Sequence, residues 1–328
     1  MREITYSEAV REALSEAMRE DDRVFLMGED IGVYGGAFGV TRGMIEEFGK
    51  DRLRITPISE AAISGAAIGA AMTGMRPIFE LQFSDFVTIA MDNIVNQAAK
   101  IHYMYGGKAN IPLVMRTPGG SGTGAAAQHS QSLENWTAHI PGLIVIQPST
   151  AYDAKGLLHS AIKNNNPVMF YEHKLCYRTK MDVPEGKYEI PIGVADIKKE
   201  GTDISVVATG YMVHKALEAA EILAKEGISI EVVDPRTLVP LDKATIINSV
   251  KKTHRAVVVT EAVKRSGFSA ELASVIAEEE SFDYLDYPLV RLAGQECPIP
   301  YEPEMEKAAV PQVNDIVYAC KKIMESVK

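Results

Sequence analysis

Short apolar runs, each about one strand long, recur along this chain with helical patterns between them, and that alternation limits the folds open to it. Runs at 24–27, 78–81, 113–115, 143–146 and 168–171 are separated by helical patterns such as 41–48, 84–104 and 151–163. A strand covered by helices on both faces reads as a continuous apolar run, so the pattern predicts a mainly parallel sheet. Thr5 and Glu8 have the spacing of a capping box, followed by Val10, Ala13, Leu14, Ala17 and Met18 at helical intervals. From 181 to 203 the texture changes to MDVPEGKYEIPIGVADIKKEGTD, charged and with two prolines, which predicts a connector. The alternation then resumes with runs at 204–208, 228–233, 256–260 and 289–292 and a helix over 213–226 closed by Gly227. The expected architecture is α/β, two doubly wound domains with mainly parallel sheets, over 1–185 and 204–328 with a linker at 186–203.

At 328 residues the chain is long enough for two cores. A net charge of −10, without a stripe of Lys or Arg, argues against nucleic acid as a partner. The longest small and apolar run, 61–75, is too short and too rich in Ser, Thr and Gly to span a bilayer. The opening MREITYSEAVREAL has no apolar signal region, and the three cysteines form no pairing or metal pattern, so a cytoplasmic location is expected.

Two stretches carry chemistry. The first is TPISEAAISGAAIGAAMTGM at 56–75, where Ser59 is a candidate N-cap and Glu60 stands in the first turn of a helix of small residues. Gly65, Gly69 and Gly74 would let another backbone approach it closely. A carboxylate against a tightly packed apolar wall is a candidate for a raised pKa and proton transfer, although an ordinary first-turn glutamate fits the same dipeptide. The second is TPGGSGTGAAAQHSQS, which follows the strand at 113–116. Its G-x-G-x-x-A match suggests a dinucleotide, but it falls in mid-domain and no acidic residue closes the next strand at 143–146, so a nicotinamide-dependent oxidoreductase is disfavoured. His129, at the far end of this loop, reads as a general acid/base or anion donor, or else as a hydrogen-bonded structural histidine.

Taken together, GEDIG (28–32), TPISEAAISGAAIGAAMTGMRPI (56–78), NQAAKIHYMYGGKANIPLVMRTPGG (96–120), AAQHSQSLE (126–134) and EVVDPRTLVPLD (231–242) resemble one family over nearly the whole chain. It is the β-subunit of the E1 component of 2-oxo acid dehydrogenase complexes, a group that includes the pyruvate, branched-chain and acetoin dehydrogenases. The resemblance implies a transketolase-like fold with an N-terminal pyrimidine-binding domain, an α2β2 heterotetramer with an E1 α-subunit, an E2 lipoyl acyltransferase partner, and thiamine diphosphate as cofactor. The G-D-G sequence that holds the Mg²⁺-diphosphate in such enzymes occurs nowhere in the chain. The α-subunit is therefore expected to hold Mg²⁺ and the diphosphate, with the active site shared between chains.

Carried over by the resemblance, Glu60 is the catalytic glutamate that hydrogen-bonds N1′ of the aminopyrimidine. Ile58, Gln82 and Phe86 line that ring, and His129 is the catalytic histidine that helps pass the acyl group to lipoamide. Glu29, counted with the cofactor-binding residues, and Asp92 lead toward a water-filled channel. Leu113, Ala161, Ile162, Asn164 and Asn166 match a potassium site of some members, with Asn164 in place of an acidic residue. Acetoin-like motifs such as YMYGGKANIPLVMRT and HSQSL set the expected substrate slightly nearer acetoin than pyruvate. The absence of a longer acidic insert after Gly32 pulls the other way. A branched-chain enzyme and a non-catalytic scaffold are the remaining alternatives.

Overall fold

The capping box forms as the spacing predicts. The Thr5 hydroxyl accepts from the Glu8 amide at 3.2 Å, and the Glu8 carboxylate accepts from the Thr5 amide at 2.7 Å. With two donors satisfied, the chain passes from strand β1 (Arg2–Thr5) into helix α1 (Tyr6–Glu20), whose Val10, Ala13, Leu14 and Met18 are buried. This computed structural model describes residues 1–326, which fall into two compact units, 1–119 with 136–192 and 120–135 with 193–326.

The first unit continues with β2 (Val24–Gly28), α2 (Met44–Arg52), β3 (Leu53–Ile55), α3 (Glu60–Met72) and β4 (Arg76–Glu80). After α4 (Val87–Asp92) and α5 (Ile101–Met104) come β5 (Val114–Gly119), α6 (Glu134–Ala138, whose first two residues group with the second unit), β6 (Ile144–Ile146), α7 (Ala151–Lys163), β7 (Val168–His173) and β8 (Lys180–Val183). Its main sheet runs β6-β7-β5-β4-β2-β3 with every pairing parallel. Helices α1 and α7 pack together on it. Lys155, fully buried in α7, survives there because it pairs with Glu12 at 3.0 Å and Glu16 at 2.9 Å, and Glu16 also meets His159 at 2.7 Å. Strands β1 and β8 form a separate antiparallel ribbon that the apolar pattern did not signal.

The second unit contains β9 (Asp196–Lys199), β10 (Ile204–Ala208), α8 (Met212–Ala224), β11 (Ile230–Asp234), β12 (Thr237–Val239) and α9 (Lys243–Thr253). It ends with β13 (Ala256–Val263), α10 (Phe268–Glu278), β14 (Val290–Gly294), α11 (Pro303–Ala308) and α12 (Val313–Ser326). The sheet order is β14-β13-β10-β11-β9, parallel except for the edge strand β9. Val206, Val232, Val257, Leu223, Ile316 and Ile323 build one core between this sheet and helices α8 and α12. The mainly parallel, doubly wound architecture is thus present twice.

Three details differ from expectation. The stretch read as a linker, 186–203, contains β9 and divides between the units after residue 192. An edge strand needs one apolar face at most, so DIKK shows no apolar run. The region 84–104 is no single helix but a 3₁₀ turn at Ser84–Phe86, α4, a π-helical segment at Asn93–Ala98, and α5. Ser59 stands at the N-cap of α3, but its side chain makes no capping hydrogen bond, its backbone lying at φ −167°, ψ 84°. Among the described residues no helix is long and apolar enough to cross a membrane.

Candidate functional site

The carboxyl ends of parallel strands are where open α/β sheets bind ligands, because loops diverge there. In the first unit that edge is crowded with carboxylates. Strands β2 and β4 end in register at Gly28 and Glu80, and a Cβ on Gly28 would lie 3.1 Å from the Glu80 carbonyl oxygen. Glu29 follows directly and is buried. The backbone turns at Asp30 (φ 54°), whose carbonyl accepts from the Gly36 amide at 2.9 Å. Burial holds the Glu29 carboxyl above its ordinary pKa, reinforced by the negative charges of Glu60, Asp30 and Glu80 in that order. Glu60 is the first residue of α3, only 4% exposed, so the two carboxyls share one electrostatic environment.

Behind them lies a buried ionic cluster that sequence reasoning missed. Arg116 Nη1 donates to Glu80 at 2.7 Å, while its Nε and Nη2 form a fork on Glu172 at 2.7 and 2.9 Å. The Tyr177 hydroxyl donates to Glu172 at 2.6 Å. Burial raises the Glu80 pKa despite Arg116, and it raises that of the Tyr177 phenol, with Glu172 adding to it. Arg116 itself stays firmly protonated, because Glu172 and Glu80 outweigh the penalty of its burial. The only sequence signal was an arginine at the end of an apolar run, in VMRT.

The other candidate pyrimidine contacts surround the same edge. Ile58 precedes α3 and is 80% exposed. Gln82 and Phe86, both half-buried, follow β4, and the Phe86 ring meets Phe83 edge-on at 5.9 Å. Asp92, exposed on α4, accepts from Asn96 at 2.7 Å. On α3 the exposed face is made of Ala61, Ala62, Ala66, Gly69 and Met72. A Cβ on Gly65 would meet the Asn93 side chain at 3.5 Å, whereas at Gly69 and Gly74 nothing among the described residues beyond the local backbone lies within 4 Å.

Ala161, Ile162, Asn164 and Asn166 gather at the end of α7, and Leu113 meets Val168 just beyond, its carbonyl accepting at 3.0 Å. Two of these carbonyls already face a cation. Arg76 donates to Ile162 O at 2.9 Å, to Asn164 O at 2.6 Å and to Asn165 Oδ1 at 3.1 Å. The Asn164 side-chain oxygen accepts from the Asn166 amide at 2.9 Å.

His129 is half-buried and belongs to the segment 120–135, which groups with the second unit. Its amide donates to Ala126 O at 3.3 Å, and Gly120 N to Gln131 O at 3.2 Å closes the loop. Gly120, Gly122 and Gly124 all have positive φ, at 85°, 97° and 67°. The amides of Gly122 and Gly124 donate to Glu306 at 2.8 and 3.1 Å, and that of Ser121 to Glu261 at 2.5 Å. The loop that matched a dinucleotide fingerprint therefore directs its amides at the protein's own carboxylates.

A fold of two such units, with carboxylates at the sheet edge of the first, defines a class, and comparison with known proteins places the chain within it. The pyrimidine binding domain of transketolase matches residues 2–180 and the transketolase C-terminal domain matches 193–316. A solved structure described as a split-gene transketolase, an inactive β4 tetramer, superposes with a TM-score of 0.80 over 99% of both chains at 22% identity. The β-subunit of acetoin:2,6-dichlorophenolindophenol oxidoreductase of Bacillus subtilis is 46% identical, over 96% of each chain. The β-subunit of 2-oxoisovalerate dehydrogenase of the same organism is 47% identical over 98% of this chain and 99% of its own. The β-subunit of the pyruvate dehydrogenase E1 component of Rickettsia felis is 45% identical over 98% of each. The chain belongs to the family of transketolase-like E1 β-subunits of the acetoin, pyruvate and branched-chain dehydrogenase complexes.

Proposed function

We propose that this chain, with an E1 α-subunit in an α2β2 assembly, binds thiamine diphosphate and cleaves acetoin or decarboxylates pyruvate in the cytoplasm, handing the acetyl group to the lipoyl arm of an E2 acyltransferase. The observation that carries this reading is the buried Glu60 at the head of α3, beside the raised carboxyl of Glu29. The residues present fit an aminopyrimidine: a buried carboxyl for a ring nitrogen, the Phe86 ring and the exposed Ile58 for its faces, and the Gln82 carboxamide for its polar edge. With G-D-G missing from the chain, the Mg²⁺-diphosphate half falls to the α-subunit. When bound, the cofactor supplies an electron sink at its thiazolium ring.

The chain's own residues supply proton control. Glu60 shares a proton with the pyrimidine nitrogen and, being buried, keeps water from competing for it. Glu29, whose own carboxyl is raised by burial and by the charge of Glu60, shares that buried edge. His129 acts later, at transfer to the lipoyl sulfur, from a loop whose glycines let its backbone turn. The potassium assignment at Leu113, Ala161, Ile162, Asn164 and Asn166 is set second to the Arg76 guanidinium, which already occupies two of the carbonyls. A branched-chain 2-oxo acid is the second reading, supported by the 2-oxoisovalerate relative.

The test is reconstitution with the α-subunit followed by dye-linked turnover of acetoin, pyruvate and 3-methyl-2-oxobutanoate. Acetoin or pyruvate turning over about tenfold faster than the branched acid is the expected result. Preference for the branched acid would replace the substrate reading, and turnover by this chain alone would end the shared-site reading.

A further inference from the structure

The loop bearing His129 is held by carboxylates far away in sequence. Glu306 is 4% exposed, and one oxygen accepts from Gly122 N and the other from Gly124 N. Glu261, on β13, accepts from Ser121 N. Alternating residues with positive φ turn successive amides to one side, which makes a concavity for anions. Here an internal carboxylate fills it, and charge-assisted bonds of this kind are the stronger sort.

The post that carries Glu306 is itself fixed. The Glu302 carboxylate caps α11 by accepting from Met305 N at 2.8 Å. Beyond the helix, Gln295 N donates to Ala309 O at 2.8 Å, and Gln312 Nε2 donates to Lys307 O at 2.6 Å and Val310 O at 2.8 Å. Gly294 permits the neighbouring strands to close around Glu261, since a Cβ there would sit 2.4 Å from the Glu261 carbonyl oxygen. Four residues beyond the loop, Asn135 Nδ2 donates to Ser266 O at 3.0 Å. All of these groups lie in the second unit.

We infer that Glu306, assisted by Glu261, is a positioning residue for His129: it locks the glycine loop 120–131 in one conformation and so places the imidazole for acyl transfer. This rests on the role proposed above for His129. The glycines give the loop its turns but no rigidity, because glycine is the residue most free to leave them. The carboxylate restores rigidity without occupying the space a side chain on the loop would take.

The experiment uses the reconstituted α/β assembly with Glu306→Ala and the near-isosteric Glu306→Gln, which keeps one accepting oxygen. Glu302→Ala is the control, since it weakens α11 at its cap and leaves the Glu306 carboxylate and the glycine amides it accepts from unchanged. Amide hydrogen exchange across 121–129 is expected to quicken about tenfold or more in Glu306→Ala, less in Glu306→Gln, and little in Glu302→Ala. The ratio of complex-linked to dye-linked turnover should fall about tenfold in Glu306→Ala and recover partly in Glu306→Gln. Unchanged exchange in both Glu306 variants would overturn the lock. Faster exchange with an unchanged ratio would overturn the positioning of His129. His129→Ala, run alongside, separates the causes: if it too leaves the ratio unchanged, the role proposed for His129 is what fails, and exchange alone then decides the lock.

Discussion

Glu60, Glu29 and Arg116 differ in what their removal should disclose. Glu60→Gln is isosteric at a helix start, so folding and assembly should survive, while exchange of the cofactor's C2 proton slows by about a hundredfold or more, because an amide cannot share a proton as a carboxyl does. Exchange into deuterated solvent, followed by NMR, checks this, and a normal rate would reduce Glu60 to a helix-terminus residue. Glu29 makes a prediction with a sign. Its folded pKa lies above the ordinary 4.5, so its ionisation burdens the native state once pH rises above that value, and the burden is complete above the folded pKa. Glu29→Gln should therefore raise the melting temperature at about pH 7.5 and leave it unchanged at about pH 4. The opposite trend across that window would place the strain elsewhere. Arg116→Met leaves Glu80 and Glu172 buried without their cation and should cost about 3–5 kcal/mol in urea unfolding. A loss under about 1 kcal/mol would show that water enters the cluster.

At the scale of elements, α3 is a helix built to be approached. Among the described residues, apart from the helix's own neighbouring backbone, nothing comes within 4 Å of a Cβ on Gly69. Gly69→Leu should therefore keep or slightly raise the stability of the isolated chain, by up to about 0.8 kcal/mol from helix propensity, while weakening assembly with the α-subunit about tenfold or more. Analytical ultracentrifugation of the mixed subunits decides between a partner on this face and none. The end of α7 gives a second case. With Arg76 already on the Ile162 and Asn164 carbonyls, melting in KCl and in NaCl at equal ionic strength should agree within about 1 °C, and a potassium-specific rise would return the ion to the site.

These elements also show how far the sequence could be read. The inner strands of both sheets were legible because burial on two faces leaves continuous apolar runs such as VFLMG and ISVVA. β3, β9 and the β1–β8 ribbon were not, since edge and two-stranded pairings carry polar residues that resemble a loop. Within the candidate site, Glu60 stood out by its place before a run of alanines. The Arg116 cluster did not, because its charges come from three strands, β4, β5 and β7, and meet only when the sheet forms.

For the whole molecule, the expectation is that the isolated chain binds thiamine diphosphate weakly and turns nothing over, with calorimetry in the presence of Mg²⁺ as the check. Tight binding without a partner would place the diphosphate contacts in this chain after all. The plan of two α/β units was readable from the alternation of runs, but the grouping of 120–135 with the second unit was not. No local pattern announces that a glycine loop will be claimed by a carboxylate so far along the chain.

That separation has a meaning for how the protein is made. Gly122 precedes its partner Glu306 by 184 positions, so the loop cannot be pinned until synthesis has passed Glu306. At about 5–20 residues per second, the histidine-bearing segment waits roughly 10–40 s on the ribosome for its latch. Translation interrupted before Glu306 would therefore yield a product whose His129 loop lacks this anchor.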